Sequence, residues 1–290
     1  MPDAARPRRS VLYTPGSTAR ALEKGREIPA DALILDLEDA VAPDAKESAR
    51  RQVVDAVRAG GYGHRELAIR VNGLDSPWGA EDLRAVAAAG ADAILLPKVE
   101  SAAMVEEAER RLRQAGGPER QALWCMMETP LGILRAEAIA GASPRLACLV
   151  LGTSDLVKDL RAAHTPQRLP VLAALSLCVL AARAHGLAVL DGVHLDLSDD
   201  EGFRAVCVQG RELGFDGKTL IHPKTVPVAN AVFAPSEAEV AQARKIIAAH
   251  AEATAAGKGV VLLDGKLIEN LHVEMARRTM TLADAVAARG

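Results

Sequence analysis

The stretch ALILDLEDAV, residues 32–41, decides the fold. Its opening Ala32-Leu33-Ile34-Leu35 is apolar without interruption, too much so for a strand with one face in water. A parallel strand covered by helices on both faces has this composition. The apolar character then breaks into acids, Asp36, Glu38 and Asp39. A buried strand ending in charge at its C-terminal tip is the unit of a (β/α)8 barrel, whose active site lies at the strand tips and the loops after them.

Working outward, this run spans Ala32–Asp39, and others like it occupy Ser10–Thr14, Leu67–Asn72, Ala93–Lys98, Ala122–Glu128, Leu146–Asp155, Ala188–Asp191 and Gly217–His222. Nearly all end in a charged or hydrogen-bonding residue, and stretches of helical periodicity separate them. The alternation predicts an α/β chain folded as a (β/α)8 TIM barrel. Helix signals agree with it. Ser17, after the turn Pro15-Gly16, is placed to cap a helix over Thr18–Glu27, and Asp75-Ser76-Pro77 opens another with a cap and a first-turn proline. Ser101 caps a helix through Gln114 that stops at Gly116-Gly117. Pro170 starts a long apolar helix ended by Gly186, and Ser236-x-x-Glu239 is a capping box for a helix to about Ala256.

The chain has 290 residues, enough for one barrel of about 250 residues and an extension. Residues 1–235 are expected to form the barrel core, and 236–290 C-terminal helices and a lid segment. One helix of this tail returns to the barrel wall. Gly257-Lys258-Gly259 then leads to the short apolar run Val260–Leu263, the turn Asp264-Gly265 and a last helix from about Asn270. Aromatics are 2% of a chain that is 49% hydrophobic, so the core must be built from Ala, Val, Leu and Ile. A net charge of −3 argues against a nucleic-acid partner, whose domains are normally basic. No apolar run reaches the roughly 18 residues of a membrane span, and Met1–Arg9, with three arginines, does not read as a signal peptide. Cys125, Cys148, Cys178 and Cys207 each lie in an apolar run without a C-x-x-C pair, so buried, reduced thiols and a cytoplasmic location are expected.

Glu128, in METP, and Asp155, in LGTSD, end the fifth and sixth runs, where adjacent strands would aim both carboxylates into one mouth. Two hard oxygen donors with open positions suit Mg2+, which keeps waters and takes further oxygens from substrate. No His/Cys cluster competes for zinc. The alternative is that both acids cap the helices that follow. Arg70, in AIRVNG, emerges from an apolar strand and should meet a carboxylate or a developing oxyanion. It can equally pair with Asp36, Glu38 or Asp39, acids better placed to hold Arg70 and metal-bound waters than to ligate directly. Lys98, in LLPKVE, could do similar electrostatic work. Arg20 and Lys24 lie four residues apart on one helical face near Tyr13, a perch for phosphates or simply a solvated surface. His222 reads as a hydrogen-bonded structural residue, and Trp78 and Trp124 as packing residues.

The segments RRSVLYTPGS, ALILDLEDAVAPDAKESAR, IRVNGLDS, ILLPKVES, METPLGIL, LGTSDL, GFDGKTLIHP and APSEAEVAQAR together resemble the HpcH/HpaI aldolase and citrate lyase β-subunit family, from about Arg8 to Arg278. Within it the chain is most similar to stand-alone citrate lyase β-like proteins, which include malyl-CoA and citramalyl-CoA lyases. The resemblance implies a Mg2+-dependent barrel, with Mn2+ as an alternative ion, acting on a coenzyme A thioester as a homotrimer or a dimer of trimers. It implies Glu128 and Asp155 as metal ligands, Glu128 thereby also meeting substrate, and Arg70 as the arginine on substrate oxygens. Tyr13, Arg20 and Lys24 fall at the coenzyme A contacts, and Thr219 and Leu220 where backbone groups meet substrate.

One position departs from the family. Its lyases carry a catalytic Asp in a C-terminal lid that reaches a neighbouring subunit's site, and here Gly265-Lys266-Leu267-Ile268-Glu269 puts Glu269 there. Asp264 reads as a turn residue. The activity implied is a carbon–carbon lyase that splits a 3-hydroxy-3-carboxyacyl-CoA such as malyl-, methylmalyl- or citramalyl-CoA into acyl-CoA and a 2-oxoacid, glyoxylate or pyruvate. Glu269 would then protonate the enolate. Alternatives are a malyl-CoA thioesterase, the β subunit of a citrate lyase complex, and a binding or scaffold protein without activity.

Overall fold

The computed structural model describes residues 6–257 and 259–289. Met1–Ala5, Lys258 and Gly290 lie outside the described residues, and with them parts of the arginine-bearing N-terminus and of the Gly257-Lys258-Gly259 link. Eight parallel strands close into a barrel in chain order: β1 (Ser10–Pro15), β2 (Ala32–Asp36), β3 (Glu66–Arg70), β4 (Ala93–Leu96), β5 (Ala122–Met127), β6 (Leu146–Leu151), β7 (Ala188–Asp191) and β8 (Gly217–Leu220). The helices between and after them are α1 (Ala19–Gly25), α2 (Lys46–Ala59), α3 (Gly79–Ala87), α4 (Ala102–Gln114), α5 (Pro130–Leu134), α6 (Ala136–Ala140), α7 (Thr153–Asp159), α8 (Leu172–Ala184), α9 (Asp200–Leu213) and α10 (Val226–Phe233). Each apolar run supplies one strand. Most strands stop short of the run's polar end, β2 at Asp36 and β6 at Leu151, so Glu38, Asp39 and Asp155 lie beyond the sheet.

The two faces of every strand are buried, but against different partners. Ile34, Ala68, Leu95, Trp124, Met126, Val150 and Leu190 fill the barrel interior. Their neighbours Leu33, Leu35, Ile69, Ile94, Leu123, Leu149 and Val189 pack in the layer under the helices. This double burial is why the strand sequences lack a polar alternation. Trp124 is fully buried inside the barrel, and Arg8 lies over its ring at 5.4 Å while bonding Glu66 through two contacts of 2.6 and 2.8 Å. A bidentate, buried ion pair thus sits at the N-terminal end of the barrel. All four cysteines are free and buried. No helix among the described residues is long and apolar enough to cross a membrane.

Helix punctuation departs from the sequence reading at two points. α1 starts at Ala19 behind Thr18, and neither Ser17 nor Thr18 caps it through a side chain. α3 starts at Gly79, so Pro77 lies in the preceding turn, where the Ser76 hydroxyl accepts the Gly79 N–H over 3.1 Å. Ser101 and the Ser236/Glu239 capping box act as expected.

The chain divides into two compact units, one holding Arg8–Phe233 and the other Ala234–Gly290. The helix that completes the eighth β/α repeat is α10, in the first unit, rather than the long helix after Ser236. In the second unit, α11 (Glu237–Ala255) packs against α12 (Asn270–Ala287), and between them runs a hairpin of β9 (Val261–Leu263) and β10 (Lys266–Ile268). The run after Gly259 is therefore paired, with Leu263 opposite Lys266. Asp264 (φ +49°) and Gly265 (φ +77°) turn it in left-handed conformations, the geometry an Asp-Gly hairpin favours.

Candidate active site

Strand register brings the first two charges together. Asp36 ends β2 opposite Arg70, which ends β3, and both follow inward-facing residues of the same parity, Ile34 and Ala68. The Arg70 guanidinium grips Asp36 with Nε at 2.7 Å and Nη2 at 2.6 Å. Its Nη1 meets Glu38 Oε2 at 2.9 Å and Asp39 Oδ2 at 3.2 Å. Burial works against the Arg70 charge, but the Asp36 bond and the surrounding acids more than offset it. Arg70 also lies 5.0 Å from the centre of the Tyr13 ring, whose hydroxyl reaches the Met126 sulfur at 3.4 Å. Burial pushes the Tyr13 phenol far up, so it stays neutral. The arginine pairs with the acids expected of it, and three of its five N–H groups are hydrogen-bonded, two to Asp36 and one to Asp39.

Glu128 directly follows β5 and, by strand parity with Trp124 and Met126, turns inward. It does not cap α5; Thr129 does, accepting the Gly132 N–H over 3.1 Å. Oε1 of Glu128 accepts the Lys98 backbone N–H at 2.8 Å, and among the described residues nothing hydrogen-bonds to Oε2. Glu128 is 2% exposed as a residue, and burial pushes its carboxyl up to about 7, with Lys98 and Arg70 pulling the other way. Asp155 sits in the first turn of α7 rather than on a strand tip, and it is not the cap, a position Gly152 holds. Its Oδ1 accepts from Lys158 at 2.8 Å.

Lys98 ties these acids into one constellation. Two residues past β4, it takes a left-handed backbone conformation (φ +48°) that aims its N–H at Glu128. Its ammonium bonds Glu38 Oε1 at 2.6 Å and lies 3.9 Å from Asp155 Oδ2 and 4.0 Å from Asp39 Oδ1. Burial lowers the tendency of Lys98 to hold its proton, but Glu38, Glu128 and Asp39 outweigh it and the net shift is upward. Glu38 is raised, chiefly by burial, with Arg70 and Lys98 offsetting it.

Arg20 and Lys24 are exposed on α1, and no ion pair engages either among the described residues. Thr219 is buried, its hydroxyl donating to the Asp191 carbonyl at 3.0 Å. The Leu220 side chain packs in the layer under the helices, which leaves its backbone for any ligand. His222 accepts the Lys224 N–H through Nδ1 at 3.1 Å, a structural role. Glu269 belongs to the second unit, exposed at the start of α12, with its N–H on His272 Nδ1 at 3.1 Å.

Two features escaped the sequence reading. A Cβ on Gly152 would stand 2.4 Å from Glu128 Oε2, so the glycine of LGTSD makes room for the carboxylate. Lys218 of β8 is fully buried and bonds Asp191 Oδ2 at 2.9 Å, with Arg168 on the same carboxylate at 2.7 Å. Lys218 also lines a cavity of about 380 Å³ together with Thr153, Val157, Pro166, Arg168 and His194. Only tertiary pairing reveals either feature.

Residues 9–223 match the HpcH/HpaI aldolase/citrate lyase family. The chain belongs to that family. It is 53% identical over 288 residues, covering 99% of each chain, to a (3S)-malyl-CoA thioesterase of Cereibacter sphaeroides. It is 39% identical over 284 residues, 96% of this chain and 94% of the other, to citrate lyase subunit beta of Escherichia coli. Among solved structures it is similar to CitE of Mycobacterium tuberculosis in complex with magnesium, acetoacetate and coenzyme A, with a TM-score of 0.77 and 28% identity over 97% of this chain and 99% of that one.

A magnesium ion suits the donors present in this family member. Glu128 Oε2 has no hydrogen-bond donor among the described residues. Glu38 Oε2 is buried without a hydrogen bond despite its proximity to Arg70, which leaves an acceptor for a metal-bound water. No group of three or more His, Cys, Asp or Glu among the described residues is arranged to hold a metal by itself. Two carboxylates with the remaining positions open to water and substrate are what Mg2+ commonly uses.

Proposed function

We propose that this chain is a Mg2+-dependent enzyme of malyl-CoA-type thioesters and that it hydrolyses the thioester, releasing coenzyme A and the hydroxydiacid. The observation that carries hydrolysis ahead of carbon–carbon cleavage is the 53% identity, over nearly the whole of both chains, to a protein named (3S)-malyl-CoA thioesterase. This reverses the order in which the sequence alone ranks the two reactions.

Glu128 and Asp155 would hold the ion. When bound it acts as a Lewis acid on substrate oxygens. The other steps fall to the chain's own side chains. Arg70, pinned on both faces of its fork by Asp36, Glu38 and Asp39, presents a fixed positive charge to the thioester oxygen as it becomes an oxyanion, a term that usually dominates acyl transfer. Glu38 and Asp39 orient water. Tyr13 stacks beside Arg70 and shields it from solvent, and Arg20 with Lys24 offers cationic contacts to coenzyme A phosphates. Backbone groups of Thr219 and Leu220 meet the acyl part.

Glu269 supplies proton transfer in this reading. It would take the proton of the attacking water in hydrolysis, and in cleavage it would deliver one to the enolate carbon. We assign it to the site of a neighbouring copy, in a homotrimer or dimer of trimers, with residues 236–290 as the lid. Exposed apolar side chains on the hairpin and α12 support this: Leu262 is 70% exposed and Met275 66%.

Carbon–carbon cleavage to acyl-CoA and glyoxylate or pyruvate is the second reading, favoured by the 39% identity to citrate lyase subunit beta. Purified protein incubated with Mg2+ and malyl-, methylmalyl- or citramalyl-CoA separates the two by mass analysis. Malate or citramalate with free coenzyme A establishes hydrolysis, and a 2-oxoacid with acyl-CoA establishes cleavage. No Mg2+-dependent turnover of any of the three would overturn both.

A further inference from the structure

Five carboxylates gather at the barrel mouth, Asp36, Glu38, Asp39, Glu128 and Asp155, and two cations stand among them, Arg70 and Lys98. Arg70 is spent on Asp36 and is 6% exposed, so it cannot leave. Lys98 differs in every respect that bears on mobility. Its side chain is 44% exposed, its stem is four flexible methylenes, and its ammonium makes one short bond, to Glu38 at 2.6 Å. Asp155 and Asp39 lie just outside hydrogen-bond distance of the same nitrogen, at 3.9 and 4.0 Å. A third cation, Lys158, holds the other oxygen of Asp155 from the solvent side at 2.8 Å.

We propose that Lys98 is a positioning residue with two separable parts, a backbone amide that orients Glu128 and an ammonium that serves as the exchangeable counter-cation of the acid cluster. The ammonium offsets part of the negative charge of Glu38, Asp39 and Asp155. A divalent cation on Glu128 and Asp155 competes with it for the same negative charge, and the ammonium turns outward as the ion enters. The left-handed backbone of Lys98 gives the arrangement its physical logic. A strained conformation at a non-glycine residue persists where the surroundings hold it, and here the N–H to Glu128 and the ammonium to Glu38 hold it from both ends. The amide contact survives when the side chain leaves, so Glu128 remains oriented while the charge that opposes the metal departs. This inference rests on the Mg2+ site proposed above and extends it to the charge balance of the acids around that site.

The test is calorimetric titration of the metal-stripped protein with Mg2+ alone, at low salt, for the wild type, K98M, K98R and E128Q. Melting in chelator confirms that each variant folds cooperatively. K98M keeps the stem and loses the charge, so its Mg2+ affinity should rise about tenfold or more, as expected for removing a like charge a few ångströms from the ion. K98R restores the charge and should titrate like the wild type, and E128Q should show no site-specific heat. Unchanged or weaker Mg2+ binding in K98M, with binding lost in E128Q, overturns the counter-cation role and leaves the metal site standing. Wild-type heat that persists in E128Q overturns the metal site, and the competition with it. A metal-free readout stands apart from both. In chelator, K98M should lower Tm, and adding E38Q should recover most of the loss; an equal loss in the presence and absence of E38Q overturns the neutralising role.

Discussion

Gly152 and Glu128 stand so close that a methyl group on the glycine would lie 2.4 Å from the carboxylate oxygen Oε2. The oxygen proposed to meet a metal is therefore positioned by the absence of a side chain on the neighbouring strand's loop. G152A should displace Glu128 and lower Mg2+ affinity by about 10–100-fold, the cost typical of disturbing a ligand's support. The overpacking should also destabilise the fold by about 1–3 kcal/mol. Calorimetry and thermal denaturation read the two effects separately.

Removing either proposed ligand has a sharper outcome. E128A and D155A should each abolish Mg2+-dependent turnover of malyl-CoA while leaving cooperative melting intact. Activity persisting in both variants, measured by release of free thiol, would refute the metal assignment.

Burial holds the Glu128 carboxyl at about 7, well above its ordinary value of 4.5, so in the metal-free protein it carries a proton below that point. Folding therefore favours the protonated form, and the stability this group contributes is full below about 4.5 and is lost as pH rises toward about 7, roughly 3 kcal/mol in all. Mg2+ must displace the same proton. Its affinity should fall about tenfold per pH unit below 7 and level off above, with close to one proton released per ion on the acid side. Titration in two buffers of different ionisation enthalpy measures that proton, and a pH-independent affinity would contradict the assignment.

Arg70 is predicted to be structural and chemical at once. R70M strands Asp36, which is 1% exposed, without its guanidinium and should cost about 3–5 kcal/mol in denaturant unfolding. R70K keeps a charge but cannot make the two-point bond, so it should unfold at an intermediate denaturant concentration. Loss of oxyanion stabilisation should cut kcat about 10²–10³-fold in the variant that still folds.

E269Q removes an acid–base group without altering side-chain size. Turnover should drop about 10²–10⁴-fold, the range of a lost general acid or base, with Mg2+ affinity nearly unchanged. Unaltered turnover, followed by product mass analysis, would move the proton transfer to another residue.

The barrel was legible because its signal is repeated. Eight apolar runs each become a strand, and the double burial of Leu33 with Ile34, or Leu123 with Trp124, is written directly into their composition. The charged ends of those runs marked Arg70 and Glu128 for the same reason, since a charge that follows an inward apolar residue on a strand has only the mouth to enter. What the runs could not mark was where each strand ends. Asp155 proved to be a helix residue and α10 a separate helix, because short elements at strand ends depend on backbone pairing that composition does not encode.

The chain's order of residues determined by itself the alternation of buried strands and amphipathic helices, the set of acids and cations at the strand ends, and family membership, because periodicity and motif order are properties of the linear chain. Only the tertiary structure decided which charges meet. The pairing of Asp36 with Arg70 follows from strand register, and the bridging of Glu38, Glu128 and Asp155 by Lys98 follows from one left-handed residue. Charges remote in sequence interact through distances of a few ångströms, and such distances exist only once the barrel has closed.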